Sequence, residues 1–160
     1  MGKIKLDEID HQILDMLIDN TRIPFTDIAK KLLISAGTVH VRVKKMEEQG
    51  IIKGSSLMLD YKKLGYSFIA YVGVYLNNTS QTKFVLERIN EIAFVTVAHI
   101  TTGKFNIFCK IRARSTEHAK EIIFKLDDID GVYRTETMIS LEESINDKKR
   151  LMHSIFNEMH

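Results

Sequence analysis

Apolar side chains recur at helical spacing through the first third of the chain, then switch to the two-residue spacing of strands. Over residues 7–20, Ile9, Ile13, Leu14, Leu17 and Ile18 form one stripe, with Asp7 in the capping position. Residues 22–25 connect this helix to the next and include the only proline, Pro24. Thr26 is placed to cap a second helix, in which Ile28, Ala29, Leu32 and Leu33 share a face. After a short break, Ser35 can cap a third helix. There Val39, Val43 and Met46 point one way, while His40, Arg42, Lys44 and Lys45 lie mostly on the rest of the surface. Gly50 stands where a helix-ending glycine is expected. The turn before Ser35 lacks the glycine such turns often use. Leu33 or Ile34 must occupy the left-handed region instead, which predicts mild strain or an altered geometry.

Beyond Gly50, Ile51, Ile52 and residues 57–59 suggest an extended hinge strand, and DYKKLGY at 60–66 a polar turn and domain boundary. Strand patterns follow at 67–76, 94–101, 105–113 and 132–142. Helical patterns fall at 79–92, with Val85, Leu86, Ile89 and Ile92 inward, and at 115–128, with Ala119, Ile122, Ile123 and Leu126 inward. The middle strands meet around TTGK, with Gly103 at the bend. A βαββαβ order predicts a ferredoxin-like unit, a four-stranded antiparallel sheet with two helices on one face. The fold class is therefore α+β. A winged helix-turn-helix domain spans residues 1–54, a hinge and linker 55–66, and the ferredoxin-like domain 67–144.

Residues 145–160 form a tail. Leu151, Ile155 and Met159 recur every four positions, with Met152 and Phe156 beside them, among polar Lys148, Lys149, Arg150 and Glu158. That is an amphipathic helix too short to stand alone. It is expected to pack on the ferredoxin-like domain of its own or a neighbouring chain, or else to fray.

In strand 67–76, Phe68, Ala70, Val72 and Val74 alternate with Ile69, Tyr71, Gly73 and Tyr75, so both faces are apolar or aromatic. Two helices cover one face of a sheet. A second copy packing sheet against sheet would cover the other, with loops or the tail as the alternative.

The composition changes this picture little. The chain has 160 residues, 44% of them hydrophobic and 28% charged, with a net charge of +2. These are values of a folded protein, and the charge alone does not argue for nucleic acid. Basic character is local, at Lys3 and Lys5 and then Arg42, Lys44 and Lys45. One cysteine, Cys109, leaves no intrachain disulfide and fits a reducing compartment. No apolar run is long enough for a membrane span and no export signal is visible, so a cytoplasmic location is expected. The six histidines show no zinc spacing, and no catalytic constellation is present, so neither metal nor enzymatic activity is expected.

Two short helices joined by a tight turn, the second with a polar and basic surface, fit the major groove of double-stranded DNA. Ser35, Gly37, Thr38, His40 and Arg42 lie at the end that would enter the groove, and Lys44 and Lys45 are placed for phosphate. An ordinary helical hairpin in a core is the alternative.

The segments LDEIDHQIL, SAGTVHVRVKKMEEQGII, KKLGY, TTGKFNIF and TETMI occur in the order and spacing of a known family. Over about residues 4–144 the chain resembles the Lrp/AsnC (feast/famine) transcriptional regulators, and is most similar to the asparagine-responsive AsnC branch. The resemblance implies DNA-binding homodimers that assemble further, often to octamers. It also implies a C-terminal module, called RAM, that binds a small amino acid between dimers, with asparagine the leading effector and no other cofactor. Carried over by position, the ligand site comprises Thr101, Thr102, Gly103, Lys104 and Phe105 of the middle loop, with Thr135 and Thr137 of the last strand. His99 lies near that loop. Asn106 stands where many members have an acidic residue, which leaves Glu136 to meet a ligand ammonium. Two other readings stay open: an amino-acid-binding ACT-like metabolic module whose helical head docks a protein, and a ligand-independent architectural DNA-binding protein.

Overall fold

In the computed structural model, which describes residues 5–147 and 149–158, the chain opens with α1 (Glu8–Asp19), α2 (Phe25–Leu32) and α3 (Ala36–Glu48). Each start has its own cause. At α1 a capping box forms: the Asp7 carboxylate accepts from the Asp10 N–H at 2.8 Å and the Asp10 carboxylate from the Asp7 N–H at 3.2 Å. At α3 the Ser35 hydroxyl accepts from the Thr38 N–H at 3.0 Å. At α2 the expected Thr26 cap does not form. The helix begins earlier, after Pro24, whose φ of −61° suits the entry and whose carbonyl accepts from the Asp27 and Ile28 N–H groups.

Leu33 takes the left-handed conformation, φ 56° and ψ 40°. Gly50, at φ 71°, ends α3 as expected. Ile13, Leu14, Ile28, Ala29, Val39, Val43 and Met46 are the core of this unit.

The expected hinge strand is corrected. Residues 51–60 enter no β-ladder, and the Ile51 and Ile52 N–H groups donate instead to the Met46 carbonyl at the end of α3, at 2.9 and 3.2 Å. Among the described residues no wing strand follows α3.

The second unit covers Met58–Ser144. It contains β1 (Phe68–Leu76), a 3₁₀ turn (Thr79–Gln81), α4 (Thr82–Asn90), β2 (Val95–Ile100), β3 (Ile107–Ala113), α5 (Thr116–Asp127) and β4 (Val132–Ile139). The sheet order is β2-β3-β1-β4, and every pair is antiparallel. Ala70, Val72, Val74, Ile107, Cys109 and Ile111 bury one sheet face against Val85 and Ile89 of α4 and Ala119, Ile122 and Leu126 of α5. This is the ferredoxin-like arrangement expected from the periodicity.

A final helix, α6 (Lys149–Asn157), belongs with the first unit. It lies on α1, not on the ferredoxin-like domain as expected. Lys149 Nζ is 3.2 Å from Asp15 and 2.5 Å from Asp19, and His153 Nε2 is 2.7 Å from Asp15. The Phe156 ring stacks on His11 at 3.8 Å, and Met152 packs against the helical core. The inward stripe is thus the half-buried Met152 and Phe156, while Leu151 and Ile155 are 70% and 43% exposed. Met159 lies outside the described residues. Acidic positions on α1 facing basic ones on α6 account for the choice of seat.

Candidate nucleic-acid interface and ligand loop

Helix α3 has two distinct sides. Val39, Val43 and Met46 are buried, and Ser35, Gly37, Thr38, His40, Lys44 and Lys45 are all exposed. An open groove of about 840 Å³ runs beside this surface, lined by Leu6, Asp7, Thr38, Val41 and Lys45 among others.

Arg42 departs from the group in which the sequence placed it. Its Nη1 donates to Asp7 Oδ2 at 2.7 Å and to Asp10 Oδ1 at 2.8 Å, the two carboxylates of the α1 capping box. Its side chain is only 26% exposed. Burial on its own would raise the Asp7 carboxyl, but hydrogen bonds from the Asp10 N–H and the Arg42 guanidinium outweigh it and hold the group below its ordinary value. Arg42 therefore ties α3 to the start of α1.

The loop over residues 101–106 is closed by its own bonds. The Thr101 N–H donates to the Asn106 carbonyl, and the Thr101 hydroxyl donates to the Phe105 carbonyl. Asn106 faces inward to β1: its N–H donates to the Val74 carbonyl at 3.0 Å, and its side-chain oxygen accepts from the Leu76 N–H at 2.9 Å. It serves the sheet, which a neutral amide does as well as a carboxylate. Gly103 has no positive φ, and a Cβ there would meet nothing within 4 Å. Its glycine is not demanded by the backbone.

The expected ligand residues divide between the two faces of the sheet. Thr135 and Thr137 pair with Val74 and Val72, on the side of the helices. Thr137 there lines an apolar groove of about 220 Å³ with Phe68, Ala119, Ile123, Phe124 and Ile139. On the opposite face Lys104, Phe105 and Glu136 converge, and His99 lies across from Phe108 in β3. Thr102 is exposed. Glu136 is already engaged, by Lys104 at 2.6 Å, Arg134 at 3.0 Å and the Tyr75 hydroxyl at 2.9 Å. The Lys104 bond, followed by that of Tyr75, holds its carboxyl below the usual range.

Arg134 is not singled out by the sequence, and Tyr75 and Gly73 enter there only as part of a strand face, not of the ligand site. Gly73 matters most, because a Cβ there would lie 2.3 Å from the Phe105 ring, so the bare backbone is the seat of that ring. A glycine in mid-strand is the signal that could have found it.

Elsewhere, burial pushes the Cys109 thiol up to about 11, where it is not reactive. Among the described residues no cluster of His, Cys, Asp or Glu is arranged to hold a metal, and no helix is long and apolar enough to cross a membrane.

Comparisons with known proteins match both units. Residues 6–53 match a family described as winged helix-turn-helix DNA-binding, and residues 69–149 match the Lrp/AsnC ligand binding domain. The chain is 34% identical over 141 residues to the regulatory protein AsnC of Haemophilus influenzae, covering 88% of this chain and 94% of that one. It is 35% identical over 146 residues to AsnC of Escherichia coli strain K12, covering 91% and 96%. The structure of E. coli AsnC superposes with a TM-score of 0.87 at 33% identity, over 91% of this chain and 98% of that one. A feast or famine regulatory protein from M. tuberculosis, complexed with L-methionine, shares the fold at a TM-score of 0.80 and 22% identity, over 90% and 97%. With both domains matched in order, this chain belongs to the Lrp/AsnC family of DNA-binding transcriptional regulators, on its AsnC branch, and is not an enzyme.

Proposed function

We propose that this regulator reads double-stranded DNA with the exposed side of α3 and that a small amino acid, asparagine first among them, tunes its assembly or its DNA binding. The observation that carries the DNA reading is the division of α3 into a buried stripe and an exposed polar and basic surface. Ser35, Gly37, Thr38 and His40 face base edges, and Lys44 and Lys45 face phosphate. Arg42, bonded to Asp7 and Asp10, acts by holding α3 on α1.

The ligand reading rests on family membership and on the loop at 101–106. A protein of this fold is complexed with L-methionine, which supports a small amino acid as the ligand class. The AsnC resemblance favours asparagine. Thr135 and Thr137 stand on the opposite face from Lys104 and Glu136, so a ligand touching both sets would take them from different chains. This fits a site that forms on assembly, with the homodimer as the minimal unit and the octamer as the larger state.

A thermal-shift screen of the full chain against the twenty amino acids tests this directly, because a ligand that binds the folded state raises its melting temperature by mass action. A shift with asparagine that is absent with most others is expected. No shift with any of them would make the DNA binding ligand-independent.

A further inference from the structure

Two residues on α3 do nothing for the fold. Val41 is 66% exposed in the middle of the outward side, facing away from the buried Val39, Val43 and Met46. A β-branched residue is a weaker helix former than the Lys, Gln or Ala that solvent would accept there, and at this exposure it stabilises little by burial. One turn earlier on the same side stands Gly37. A Cβ at Gly37 would meet only the Ser35 hydroxyl oxygen at 3.7 Å, an ordinary contact, and its φ is not positive. Alanine would fit and would favour the helix. Gly37 and Val41, two weak helix formers that no packing demands, thus fall together on the surface assigned to DNA, with Lys44 and Lys45 one turn beyond.

Gly37 and Val41 stand one turn apart on the exposed side of α3, and both line the open groove beside it. In the major groove, thymine presents an apolar group, its C5-methyl, which distinguishes it from cytosine. A helix without a side chain at one position lets a base edge approach the backbone. A branched aliphatic side chain one turn along supplies the methyl contact. Flanking lysines on phosphate hold the register. We propose that Val41, seated beside Gly37, is a specificity-determining residue that reads the methyl of one thymine in each half-site. The proposal deepens the DNA reading of α3 and rests on it.

The test uses the full chain and a duplex enriched by it from a random library. Each thymine of the enriched site is replaced in turn by uracil, which removes only the methyl. The wild type should lose about fourfold in affinity at one thymine per half-site, the value of one buried methyl-sized group. Val41→Ala should bind the thymine and uracil versions of that position equally, with a melting temperature no lower than that of the wild type. Gly37→Ala should melt higher yet bind the enriched duplex more weakly. Equal binding of all uracil duplexes by the wild type would overturn the assignment, as would undiminished uracil sensitivity in Val41→Ala. Failure to enrich any sequence would overturn the DNA reading of α3 itself, and the proposal with it. That failure is distinguishable, since it appears before any thymine is replaced.

Discussion

Leu33 holds a left-handed backbone with its side chain 92% exposed, so it carries a steric cost that burial does not offset. Leu33→Gly should raise the stability of the helical unit by about 1 kcal/mol. A rise in the urea midpoint would show it, and an unchanged midpoint would mean that the turn is not strained. Gly73 is the reverse case. Gly73→Ala drives a methyl into Phe105 and should cost about 1–3 kcal/mol as overpacking does. On a Phe105→Ala background the same change should be close to neutral, and a double-mutant cycle measures the difference. Arg42→Ala would leave two carboxylates of the capping box without their cation, at about 1–2 kcal/mol. If it only positions α3, weakened DNA binding should follow the drop in stability while the salt dependence stays the same. Asp7, Asp10 and Arg42 are each legible in the sequence as cap or basic position. Their pairing is not, because 35 residues separate Asp7 from Arg42 and only the crossing of two helices brings them together.

Helix α6 shows the same division at the scale of an element. The four-residue recurrence is enough to predict a helix, but of the expected stripe it is the flanking pair, Met152 and Phe156, that turns inward. A step of one residue turns a helix by about 100°, and the charges on α1 select the turn. The Asp15 carboxyl is held below its ordinary value, first by its bond to His153 and then by Lys149. A depressed carboxyl stabilises the docked helix above that ordinary value and loses the effect as the pH falls through the lower one. Acid should therefore loosen α6, visible as a shift of its backbone NMR signals toward coil values below about pH 3.8. Asp15→Asn should be loosened already at neutral pH; signals of α6 identical to the wild type at both pH values would show that the ion pairs do not hold it. In the sheet, alternation identifies every strand and places Thr135 and Thr137 on a common face. It does not tell which face, since a register change of one residue exchanges the two. The hinge strand fails for a related reason. Apolar residues in an extended run describe a strand only when a neighbour exists, and pairing is a property of the fold.

At the scale of the whole molecule, the open face of the sheet carries Tyr71 stacked on Phe108 at 5.7 Å and Phe105 on Phe108 at 5.8 Å, with Val97 41% and Met138 45% exposed. Within the unit, Arg112 reaches Tyr61 and Tyr66, and Lys110 pairs with Glu143, so the linker and the residues after β4 cover only part of that face. A second copy is expected over the rest, and light scattering at micromolar concentration should find a dimer or a larger species; a monomer would leave the face uncovered and the proposal wrong. Two-fold pairing would also present two α3 helices to half-sites about one DNA turn apart. The reading of DNA by α3 is tested most directly by titrating the enriched duplex over a range of salt concentrations with the wild type and with Lys44→Ala/Lys45→Ala. The logarithm of affinity should fall linearly with the logarithm of salt, and the double variant should show a slope shallower by about 0.9 for each phosphate that the two lysines no longer neutralise. Identical slopes for the two proteins, or no preference for duplex DNA at all, would contradict it.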